Sequence, residues 1–239
     1  MRLIRWLAWS AGILFLVGAL LQLVDFFNLY ASPPNVPDTL NMVERRLAVQ
    51  GYREAIWPVF LLGNLAVGVG FMATAALGLA LAGKVAATSS YRVGIAAALG
   101  MAGVFGAVAQ LVIIGAAQPT VQNPYCDCGF KDTEIVSQIW AQQLLEGASQ
   151  WLSNAALVLA AIGVAATATA FRDRMPASWN LYSWATAIVL IVAVVVPLLQ
   201  INPDLDFWIN AIAAAIVVPI WALWLGASFG SGGREPGIA

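Results

Sequence analysis

The sequence predicts an all-α fold: a polytopic membrane helical bundle of six transmembrane spans with both termini on the cytoplasmic side (N-in/C-in). Three observations predict it. The 239 residues are 61% hydrophobic and 10% charged, with mean hydropathy +0.83, more apolar than a soluble domain of this size can shield from water. Six apolar stretches of about 20 residues or more, the length that crosses a bilayer core, alternate with charged or Pro/Gly/Asn-rich breaks. The basic residues divide unevenly between the two sides that such spans define.

The spans are expected near 6–30, 56–82, 93–116, 139–171, 179–200 and 208–228, forming one domain over 1–229, followed by a flexible tail from Gly230 to Ala239. The first follows Arg2 and Arg5, as a secretory signal would. Its apolar run exceeds the roughly 7–15 residues of a signal core and lacks a small-residue cleavage site before Pro33-Pro34, so it reads as a retained span. Between the first two spans, Asp38 can cap a short helix in which Leu40, Val43 and Leu47 share a face, serving either as a lid or as an interfacial connector. Glycines crowd the second and third spans (Gly63, Gly68 and Gly70; Gly94, Gly100, Gly103 and Gly106) and alanines the fourth, making these the candidates for the tightest packing. The fourth is too long for one perpendicular crossing, so Thr133 to Gln143 should rise beyond the membrane. In the sixth, Pro219 should kink the helix and free a carbonyl around Ala215.

Orientation follows from the cations. With the N-terminus inside, Arg2, Arg5, Lys84, Arg92, Arg172, Arg174 and Arg234 are cytoplasmic, against Arg45, Arg46, Arg53 and Lys131 outside. Trp6, Trp9, Trp57, Trp140, Trp179, Trp208 and Trp224 fall at the expected interfaces, as aromatic belts do.

Several function classes are set aside by composition. A formal net charge of -1 and no basic stripe leave no footprint for nucleic acid. Without a single His, the commonest general base, metal ligand and haem ligand is missing. No P-loop, Rossmann glycine fingerprint, nucleophile elbow or zincin helix is present. No cofactor or metal is expected, and the chain reads as non-enzymatic.

Polar residues inside the spans crowd toward the outer half. Gln22, Asp25, Asn64, Gln110, Glu146, Gln150, Asn154 and Asn210 are the candidate ligand-binding residues of an outward-facing polar vestibule. Gln138, Gln142, Glu146, Gln150 and Asn154 recur every four residues, a drifting stripe on one helix face. A carboxylate at membrane depth costs several kcal/mol unless it is protonated or partnered, so Asp25 and Glu146 should face the interior, water or a polar partner. The competing reading is amide glue between helices. Cys126 and Cys128 lie in the second outer loop, where an oxidising exterior favours a disulfide. A strained bridge between them, a soft-metal or redox site helped by Asp127 and Asp132, and a bridge to another chain are the alternatives.

The run Met175-Pro176-Ala177-Ser178-Trp179, followed by Ser183-Trp184 and an apolar helix and preceded by the alanine-rich fourth span, resembles an uncharacterised bacterial six-span integral membrane family, a domain of unknown function. The resemblance covers about the last two thirds of the chain and implies no functional residue; the long outer loops and the Cys pair are not placed by it. The expected activity is that of an accessory subunit or sensor in the cell membrane, binding a small or lipidic ligand or a partner protein through the vestibule. Its partners would be the lipid bilayer and other membrane subunits or further copies of the chain. The alternatives are a transporter of ions, protons or a small solute, and a membrane enzyme dependent on the outer thiols.

Overall fold

The computed structural model describes residues 1–32, 34–37, 50–117, 132–199, 208–210 and 212–229. The 38–47 helix, the Cys126/Cys128 pair and the 230–239 tail therefore lie outside the described residues, as does the Asp25 side chain. Helices run in the order α1 (Arg2–Phe26), α2 (Gln50–Ala82), α3 (Ser90–Ala117), α4 (Asp132–Ala170) and α5 (Ala177–Leu199). A π-helical segment, Ala213–Val217, then continues as α6 (Val218–Ser228). Six helices are long and apolar enough to cross a membrane, the sixth being Trp208–Ser228, which gives the chain a multi-pass membrane architecture. At 39 residues, α4 is about 58 Å long by the 1.5 Å rise, roughly twice a bilayer core, and its apolar stretch starts only at Ile139.

The spans pack in chain order as a ring. Each is antiparallel to the next, α6 returns onto α1, and α5 touches α6 least. Two ends result. The proximal end holds the start of α1, the end of α6, and the turns at 83–89 and 171–176, which Arg174 joins by donating to the Lys84 carbonyl at 3.3 Å. The distal end holds the longer connections.

Small residues set the spacing between neighbours. A Cβ on Gly18 would lie 2.9 Å from the Gly63 carbonyl, and one on Gly78 2.6 Å from Leu99 Cβ. Gly103 and Gly106 admit Phe71 and Ala75 in the same way, bringing α2 and α3 together as their glycine content predicts. The same device also joins α1 to α6, where Gly226 makes room for the Trp9 indole. Gly94 and Gly100 have open space beside them.

The proximal half of the ring is filled. Leu77, Leu81, Ile95, Leu99, Trp179, Leu190, Trp221 and Leu225 form its core, each at most 3% exposed. Trp179 thus corrects one expectation: it stands at a span end but is buried among helices rather than placed in an interfacial belt, while Trp6, Trp140 and Trp208 are exposed. The outer surface of the ring carries Leu3, Leu62, Val69, Leu79, Val93, Leu111, Leu181 and Ile188, each at least half exposed, as hydrocarbon solvent permits.

Candidate functional site

The distal half holds a partly open cavity of about 300 Å³, with walls drawn from all six spans. On α1 it runs from Ala11 to Leu23, about 18 Å by the helical rise. Its floor is Leu77, Leu99, Val164, Leu190, Trp221 and Ala222. The middle is mostly apolar, with Phe15 and Phe71 edge to face at 5.0 Å between centroids. Gln110 stands at mid-depth, and Gln22 and Asn210 toward the distal end.

Sequence reasoning placed eight residues around such a vestibule. The structure brings Gln22, Gln110 and Asn210, from three different spans, to the wall of one cavity. Asn64 and Asn154 are buried outside that wall, and the Asn64 amide donates to the Phe60 carbonyl of its own helix at 2.7 Å. Glu146 is half-buried and accepts from the amide of Gln142, one turn earlier. Gln150 is exposed, whereas Asn154, one further turn along the stripe, is buried. The 142–154 stripe is therefore divided between protein and surroundings.

Residues that amide counting passed over also shape the site. Ser149 donates to the Ala109 carbonyl at 2.9 Å and pins α4 to α3, and Ser153, four residues on, lines the cavity. Their spacing continues through Ala156 and Ala160, the 3–4 repeat of a packed face. Thr74 and Thr186 also line the wall, each donating to a carbonyl one turn back, Gly70 at 3.0 Å and Tyr182 at 2.9 Å.

The break before Pro219 takes the form of a π-helical segment on the cavity wall. The Val218 N–H returns to the Ala213 carbonyl, five residues back. Proline has no N–H, so the carbonyls of Ala214 and Ala215 lack the donor that another residue at 219 would supply in the π or α register. Ala213, Ala214 and Ala215 all line the cavity. Two bonds close the seam between α5 and the sixth span below this level: Tyr182 donates its hydroxyl to Val217 at 3.1 Å, and the Trp221 indole N–H donates to Ser183 Oγ at 3.1 Å.

Among the described residues no charged side chain lines the cavity, and no three His, Cys, Asp or Glu side chains gather as a metal site. The chemistry on offer is hydrogen bonding to a mostly apolar guest. Comparison with protein-family models, curated proteins and solved structures gives no match.

Proposed function

We propose that this chain is a non-enzymatic protein of the cell membrane, oriented with its distal end outward, that binds a small or lipidic ligand within its helical ring and acts as an accessory subunit or sensor. The observation that carries the reading is the cavity itself: space bounded by six spans and lined mostly by apolar side chains, with Gln110 at mid-depth and Gln22 and Asn210 toward the distal end. Binding sites for small molecules combine a largely apolar wall with a few convergent polar groups in this way. The filled proximal half supports binding over transport, since Leu77, Leu99 and Trp221 close the floor and the Thr167 and Ser183 hydroxyls in the half beneath it are buried and donate within their own helices.

Native mass spectrometry of the protein from its own membrane, released from mild detergent, tests the reading. A small-molecule or lipid adduct of fixed stoichiometry is expected on the 25.2 kDa chain, and Ala214→Leu, which adds bulk to the cavity wall, should remove it. An adduct indifferent to Ala214→Leu, or its absence from all preparations, would overturn the proposal.

A further inference from the structure

The cavity wall carries acceptors that lack a donor, and this bears on what it holds. At the floor every donor is spent: Thr74 and Thr186 give their protons to their own helices and Trp221 gives its N–H to Ser183. Hydrocarbon can lie there without stranding a proton donor. Above the floor the wall carries the Gln22 and Gln110 amides, which both accept and donate, together with acceptors that lack a donor. The Gln110 side chain lines the wall, yet its Oε1 is enclosed without a hydrogen-bond partner among the described residues. The Ala214 and Ala215 carbonyls have lost the donor that Pro219 cannot provide. A buried acceptor left unpaired costs free energy that a bound donor recovers.

Packing sets these acceptors at about the same depth. Gly18 of α1 meets Val67 and Gly63 of α2, Gly68 of α2 meets Gln110, and Gly12 meets Pro219. Since α1 is antiparallel to both α2 and the sixth span, the turn of α1 near Val17 stands level with Gln110 on one side and with Ala214 on the other. The terminal torsion of a Gln side chain is soft, so a modest rotation presents its oxygen to the cavity.

We propose, deepening the ligand-binding reading and resting on it, that the ligand is a neutral lipid bearing a hydroxyl group. The hydroxyl donates to the Gln110 amide oxygen or to the carbonyls freed by Pro219, and the hydrocarbon body lies toward Phe15, Phe71 and Leu99. Among the described residues the wall carries no charge, which disfavours a carboxylate or phosphate head. A volume of about 300 Å³ is at the small end for ligand sites and suits one chain or a compact ring better than a two-chain lipid.

Tryptophan quenching by brominated probes tests the assignment in phosphatidylcholine vesicles. With 11-bromo-1-undecanol, 1-bromoundecane and 11-bromoundecanoate, the bromine would sit toward Trp221 while the other end differs. The alcohol should quench saturably, about tenfold more tightly than the bromoalkane or the acid, the scale of one hydrogen bond. Trp221→Phe should remove much of the saturable signal, and Gln110→Leu should bring the alcohol toward the bromoalkane. Equal affinity for alcohol and bromoalkane in the wild type, which needs no variant to interpret, would overturn the hydroxyl assignment while leaving an apolar binding site. Tightest binding of the acid would also overturn it. If no probe saturates, the assignment fails, and the adduct measured by native mass spectrometry decides separately whether the binding reading survives.

Discussion

The proximal and distal halves of the ring are built from the same six helices and similar residues, yet one is filled and the other hollow. In the proximal half, large side chains from opposite walls meet: Leu77 and Leu99 face the Trp179, Leu190 and Trp221 group, with Gly78 and Gly163 cut back to admit Leu99. In the distal half the inward positions include Ala11, Ala19, Ala160, Ala213 and Ala214, too short to reach across, and a cavity remains. Six helices in a ring leave a central space whose filling depends on side-chain length at each level. Inside a membrane, where burial from water does not drive helix association, that difference decides where dispersion contacts hold the bundle and where a guest can enter.

The strongest way to break the comparison is Leu99→Ala. Leu99 is fully buried in the filled half, so its truncation should cost about 2–5 kcal/mol in reversible unfolding from mixed micelles. A loss under about 1 kcal/mol would mean that this half tolerates cavities as readily as the other. Tyr182→Phe should have a smaller effect, about 1 kcal/mol, by deleting the hydroxyl that holds Val217 across the α5–α6 seam. Faster hydrogen exchange confined to the sixth span would locate that loss, whereas uniform exchange would show that the seam is not a separate weak point. The smallest effect sharpens the contrast: Ala214→Leu should change stability by about 0.5 kcal/mol or less, because it grows into space already present. A cost comparable to that of Leu99→Ala would show that the distal wall is packed.

Legibility differed by feature. The six helices follow from apolar length, which needs no tertiary information, and Pro219 correctly marked the break because its missing N–H is a property of the residue alone. Polarity singled out Gln22, Gln110 and Asn210 for the wall, but it also selected Asn64, which bonds within its own helix, and Gln150, which is exposed. An amide within a span announces only a need for partners; the partner can be one turn away. Ser149 and Ser153 went unremarked because a small hydroxyl is compatible with every face of a helix, and only the approach of α3 gives Ser149 its acceptor.

Taken by itself, the sequence determined that this chain makes membrane-length helices and where the sixth is interrupted. Only the tertiary structure decided that the helices close into a ring in chain order, that Trp179 is core, and that the hollow half collects Gln22, Gln110, Asn210 and the π-helical segment around one space. The reason is physical. Helix formation and span length depend on local chemistry, whereas a cavity depends on the combined reach of side chains brought together from six distant stretches of chain, and no single stretch encodes that sum.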